Sequence, residues 1–243
     1  MADTLKDILS DIRVFLYGGT VTFPITIAGT LLILGLFTAN YAIIFFLIGY
    51  LLLVPASAGL LNIGLKYLVE MTGTTIFNTK RGDLCKVFIP FQTLKNPTKA
   101  EDSTVVISQW VALVSFFIGY MFKNALQLYN REPVDNTLTV TTEETSDIKE
   151  NKSMRRTSQS MISLISIVIF AMIVIGLRYY SGCESLLSMV LTFTGFVFMG
   201  SGWYNLLSPI GQDRLSDLFG IANRLLAPSA IQNKPIACVP VPV

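Results

Sequence analysis

Residues 21–65 read VTFPITIAGTLLILGLFTANYAIIFFLIGYLLLVPASAGLLNIGL, forty-five positions without a charged side chain. About 20 apolar residues suffice to carry a helix through the hydrocarbon of a bilayer, so this stretch holds two spans. Thr38-Ala39-Asn40 is the natural break and gives spans over 21–38 and 41–63 joined by a tight turn. Pro24 stands near the start of the first span. Pro55 falls inside the second, where the carbonyl it frees must find another donor and the helix is expected to kink.

The rest of the chain follows the same pattern. Residues 104–122, 159–177 and 186–206 are three further apolar stretches of span length, which makes five in all. Composition agrees. Of 243 residues, 52% are hydrophobic and 14% charged, against about 25% charged in a soluble domain. The mean hydropathy is +0.58. The fold class expected is therefore all-α: a polytopic membrane protein with about five transmembrane helices, flanking amphipathic helices and an extended Pro-rich C-terminal tail.

The flanks and loops complete this division. Leu5, Ile8, Leu9, Ile12 and Leu16 recur at helical spacing, with Thr4 placed to cap and Asp7 three residues on, so residues 1–20 read as an interfacial amphipathic helix. A hairpin over 21–65 and a polar loop over 66–103 follow. The third transmembrane helix, 104–129, continues past its apolar core through Lys123 to Tyr129. A second polar loop, 130–158, shows no hydrophobic period apart from the alternating Thr137–Thr141, a short strand pattern. A second hairpin covers 159–207, with Arg178-Tyr179-Tyr180 and Trp203-Tyr204 as interfacial residues. Leu215, Leu218, Phe219, Ala222, Leu225 and Leu226 mark an amphipathic helix within 208–227. The tail, 228–243, carries Pro235, Pro240 and Pro242 and favours an extended conformation. Basic residues divide nine to nine between the two sides of a five-span topology, so the positive-inside rule does not orient the chain.

Catalytic equipment is thin. The sequence has no histidine, which removes the commonest general base and metal ligand. Cys85, Cys183 and Cys238 are scattered and have no metal-site spacing. Cys183-Glu184 lacks a base to activate the thiol, and a turn cysteine is the commoner reading. Asp213 and Asp217, four apart, fit the solvated side of a helix better than a cation site. Asn151-Lys152-Ser153 matches a glycosylation sequon, which matters only in a secretory lumen. No enzyme activity, cofactor, metal or nucleic-acid partner is expected. The sites expected are of two other kinds. Ser108, Ala112, Ser115 and Gly119 put small side chains on one helix face, where helix backbones can approach in lipid. Lys80, Arg81, Arg155 and Arg156 are candidates for lipid-headgroup contact. Asn62, Gln109 and Asn205 are the polar groups within or beside the spans and read as helix-to-helix hydrogen bonds. A transporter, channel or permeabilising protein is the alternative these polar groups leave open.

The stretch Trp110 to Tyr129, WVALVSFFIGYMFKNALQLY, is followed by Arg178-Tyr179, Gly182-Cys183-Glu184, Gly202-Trp203-Tyr204 and Asp217-Leu218-Phe219-Gly220-Ile221. In this order they resemble multi-pass membrane proteins of large nucleocytoplasmic DNA viruses with icosahedral capsids, over residues 105–226. The resemblance implies a structural protein of the virion's internal, host-derived membrane, partnered by the lipid bilayer, minor capsid proteins or other virion membrane proteins, as a homo- or hetero-oligomer. The loop 66–103 and the tail 228–243, which lack cores of their own, are the contact segments expected.

Overall fold

The computed structural model describes residues 2–72, 106–130, 146–180, 184–210 and 218, with backbone alone for 2–17, 20, 72 and 146–156. Its elements are α1 (Ala2–Thr38), α2 (Tyr41–Ile48), α3 (Val54–Thr72), α4 (Gln109–Asn130), α5 (Ser146–Tyr180) and α6 (Leu186–Ile210). A π-helical turn, Gly49–Leu53, joins α2 to α3. Five stretches are long and apolar enough to cross a bilayer: Val21–Thr38, Tyr41–Met71, Gln109–Asn130, Thr157–Tyr180 and Leu186–Ile210. This is the architecture of an integral multi-pass membrane protein.

Three boundaries differ from the sequence expectation. First, residues 1–20 do not form a separate helix, because α1 runs unbroken from Ala2 through the first span. Gly18 and Gly19 are helical within it despite glycine's poor helix propensity, and Thr22 Oγ1 donates back to the Gly18 carbonyl at 3.1 Å. Second, α3 continues to Thr72, past the expected loop start at 66; Lys66 and Glu70 sit one turn apart on its surface with N···O at 3.9 Å. Third, α5 begins at Ser146, well inside the expected polar loop 130–158. A polar segment needs no hydrophobic stripe to be helical when it extends an existing span, since elongation avoids the cost of nucleation. The strand pattern at 137–141 and the tail at 228–243 lie outside the described residues. So does the amphipathic helix at 208–227, except for its first residues, which complete α6, and Leu218.

The turn at Thr38-Ala39-Asn40 is closed by backbone chemistry. Ala39 adopts φ 50°, a left-handed conformation usually left to glycine. Ala39 N–H donates to Leu36 and Asn40 N–H to Gly35, the two bonds of a Schellman end. Asn40 then caps α2, its Oδ1 accepting from Ala42 N–H at 3.0 Å. Its Nδ2 donates to the carbonyl of Leu218, which brings the chain beyond α6 back to this hairpin.

Pro55 stands just inside α3, directly after the π turn. There the Val54 N–H reaches the Gly49 carbonyl, five residues back. A π turn redirects the backbone bonds around the missing proline N–H.

The helices surround α4. Contacts place α2–α3 antiparallel to it, with Phe46 beside Tyr120 at 4.9 Å and Asn62 beside Ile107. α5 is antiparallel as well, with Arg178 over Trp110. α6 runs parallel to it, pairing Ser188 with Val106 and Ser208 with Gln127. α1 closes the outside through Phe23 against Phe170 and the Tyr50 hydroxyl, which donates to the Pro24 carbonyl at 3.2 Å. The centre is aromatic: Phe46, Tyr50, Phe116, Tyr120, Phe196 and Tyr204 are all buried. The outer surface is apolar, with Phe37, Leu60, Ile63, Met172 and Phe198 well exposed.

Candidate functional site

Polar chemistry gathers at one end of the bundle, where α3 leaves and α4 begins. The side chain of Asn62 clasps the backbone of Ile107 at both groups: Nδ2 donates to its carbonyl at 2.8 Å, and Oδ1 accepts from its N–H at 2.7 Å. One carboxamide thus satisfies a residue that no helix serves. The preceding carbonyl, Val106, accepts from the Ser188 hydroxyl of α6. Ser108 closes the lead-in by capping α4: its carbonyl accepts from Ala112 N–H at 2.9 Å, and its Oγ lies 3.5 Å from Val111 N.

Beside this clasp lies a buried ion pair. Arg178, in the last turn of α5, reaches Glu184 across the α5–α6 turn with N···O at 3.4 Å, and both side chains are about 5% exposed. The guanidinium also lies over the Trp110 ring, 5.0 Å from its centroid. Arg178 and Glu184 are the only residues charged at neutral pH between Arg156 and Asp213. Burying either alone would be costly, and the pair lets both be buried. The indole face adds a second contact that suits a planar guanidinium. Three elements are thereby tied together: α5 by Arg178, the following turn by Glu184 and α4 by Trp110.

The sequence reading placed Arg178 among interfacial residues. The structure buries it instead, because a carboxylate six residues on and an indole on a neighbouring helix satisfy it. Glu184 is engaged by Arg178, which leaves it a structural partner. Cys183 lies outside the described residues, as do Cys85, Cys238, Asp213 and Asp217. Among the described residues no group of histidine, cysteine and acidic side chains could hold a metal ion.

The small-residue face of α4 is buried throughout: Ser108, Ala112, Ser115 and Gly119 all lie inside the bundle. At Gly119 a Cβ would stand 2.2 Å from the Val197 carbonyl oxygen of α6. Across the contact, a Cβ on Gly200 would meet the Phe116 carbonyl oxygen at the same distance. Ser201 Oγ donates to the Gly119 carbonyl at 3.1 Å. The two backbones touch here because each helix supplies a glycine. A second close approach joins α6 to the π turn. Trp203 Nε1 donates to the Phe45 carbonyl at 3.2 Å over Gly49, where a Cβ would fall 2.6 Å from that nitrogen.

No protein-family model, curated protein or solved structure matches this chain.

Of the other polar candidates, Gln109 turns a buried Oε1 to a place without a hydrogen-bond partner among the described residues. Asn205 is exposed on α6 and bridges no helices among the described residues. Arg155 and Arg156 stand on α5 directly before its apolar stretch, which begins at Thr157, while Lys80 and Arg81 lie outside the described residues. Sequence reasoning missed the Arg178–Glu184 pair, although two lone charges of opposite sign flanking one short turn were the available signal. It also missed the role of Gly49, which no sequence spacing announces.

Taken together, the arrangement fastens helices. Its charges neutralise each other, its amide serves backbone groups, and its glycines allow backbones to touch.

Proposed function

We propose that this chain is a structural multi-pass membrane protein of the internal membrane of a large icosahedral DNA virus, linking that membrane to minor capsid proteins. The observation that carries the structural reading is the bundle's centre. Phe46, Tyr50, Phe116, Tyr120, Phe196 and Tyr204 fill it; Phe46 lies 4.9 to 5.8 Å from the rings of Tyr50, Phe116 and Tyr120, and Tyr120 lies 5.3 Å from Tyr204. A transport path needs polar groups or water at that depth, and this packing favours a rigid scaffold. The virion location and the capsid partners rest on the resemblance carried by residues 110–221.

Cross-linking mass spectrometry on intact particles tests the reading, with membranes of uninfected cells as control. Cross-links from Lys80, Lys95 or Lys234 to capsid proteins are the expected result. Recovery of the protein from cell membranes alone would overturn the virion assignment. Ion flux in proteoliposomes, abolished by Asn62→Leu, would replace the structural reading with transport.

A further inference from the structure

We infer that the seam between α4 and α5 is a binding site for one anionic glycerophospholipid. Two adjoining grooves make up the seam. The first, of about 430 Å³, is wholly apolar and lies between Ile118 and Phe122 of α4, Ala171 and Met172 of α5, and Phe193 and Val197 of α6. The second, of about 270 Å³, meets the first at Ile167 and is polar on one side, where Asn124, Ser160, Ser163 and Ser166 line it.

The polarity runs in the direction a lipid requires. The apolar groove lies along the middle of the spans, at acyl-chain depth. The polar groove lies at the membrane edge of α5, whose apolar span begins at Thr157, and near the C-terminal end of α4. From Ser160 to Ile175 the seam extends roughly 22 Å along the helix axis at 1.5 Å per residue, longer than one leaflet's share of a hydrocarbon core about 30 Å thick.

An unsatisfied group points to a ligand at the polar end. Ser160 is 1% exposed, lines the groove, and its Oγ has no hydrogen-bond partner among the described residues. The Ser163 hydroxyl, by contrast, is satisfied by the Gln159 carbonyl. A buried hydroxyl without a partner is uncommon, and the ester or phosphate oxygens of a glycerophospholipid would supply one.

Charge selects the headgroup. The opening turns of α5, residues 146–156, carry Lys149, Lys152, Arg155 and Arg156 against Asp147 and Glu150. Arg156 shares a helical register with Ser160, Ser163 and Ile167, at spacings of four, three and four. Basic residues beside a span favour anionic lipid. This inference does not depend on the virion reading.

The test uses the full chain reconstituted in nanodiscs of equimolar phosphatidylglycerol and phosphatidylcholine, then released into detergent for native mass spectrometry. Wild-type protein should retain one phosphatidylglycerol in preference to phosphatidylcholine. Arg155→Gln with Arg156→Gln should lower that preference about tenfold, since each basic residue contributes to anionic-lipid attraction. Ala171→Phe should fill the apolar groove and lower retention of both lipids, and Ala171→Leu gives the milder version should the larger side chain disturb folding. Equal retention of the two lipids by wild-type protein would overturn the proposal. So would a wild-type dimer that Ala171→Leu dissociates, which would make the seam a contact between two copies of the chain.

Discussion

α4 meets α6 and α5 in opposite ways. Against α6 it is in backbone contact, with Gly119 facing Val197 and Gly200 facing Phe116. Against α5 it leaves two open grooves. Both partners are apolar helices of span length, so hydrophobicity does not separate them. In lipid it could not, because the hydrocarbon is as apolar as a leucine side chain and gives helices no reason to exclude it. What differs is the size of the facing side chains and the hydrogen bonds available. α6 brings glycine and serine to the contact, and α5 brings Ile167, Ala171 and Ile175. The α4–α5 contact is instead fastened at its end by Arg178, Glu184 and Trp110.

If the ion pair is the fastening of α5, Arg178→Leu should have the largest effect. It leaves the Glu184 carboxylate buried without a partner, a loss of about 3–5 kcal/mol, visible as a lower unfolding midpoint in detergent. Arg178→Leu combined with Glu184→Leu should recover most of that loss. A double variant as unstable as the single one would show that the contact with Trp110, and not charge, holds the helix.

The glycine contact is next. Gly119→Ala or Gly200→Ala adds one carbon to a space already occupied by backbone, and overpacking of this kind typically costs about 1–3 kcal/mol. A denaturation curve unchanged from wild type would mean that α4 and α6 are not in backbone contact. Asn62→Leu should follow, at about 1–2 kcal/mol, because interhelical hydrogen bonds in membranes are worth about that much and both backbone groups of Ile107 lose their partner.

Ala171→Leu sharpens the comparison from the other side. Ala171 is buried, and leucine adds three carbons there, yet it lines the open apolar groove, so the cost should stay below the roughly 1–3 kcal/mol of overpacking at Gly119. The pair Gly119→Ala and Ala171→Leu thus tests the contrast directly: the smaller addition should destabilise more than the larger.

Much of the fold was legible in the chain. The uncharged run at 21–65, broken at Thr38-Ala39-Asn40, required two spans and a turn. The length of the other apolar stretches required three more, because hydrocarbon thickness is a fixed ruler and an unsatisfied backbone cannot enter it. The spacing of the small residues at 108, 112, 115 and 119 marks one side of the chain entering and forming α4, and the structure buries all four. Helix ends were less legible. The helical N-terminal part of α5 has no apolar stripe, and the continuity of α1 depends on Gly18-Gly19 adopting a conformation that glycine also leaves freely.

Tertiary structure decided which helices those spans and faces meet. Trp203-Tyr204 read as an interfacial pair, yet Tyr204 packs on Tyr120 at 5.3 Å and Trp203 reaches across Gly49 to a carbonyl. Arg178 read as a residue at the water's edge, yet it is buried between a carboxylate and an indole. Composition and periodicity are one-dimensional, and they report what each segment tolerates: lipid, water, or a close neighbour. The partners of Gly119, Arg178 and Trp203 are 6 to 158 residues away along the chain, and only the packing of the helices around α4 brings them within reach.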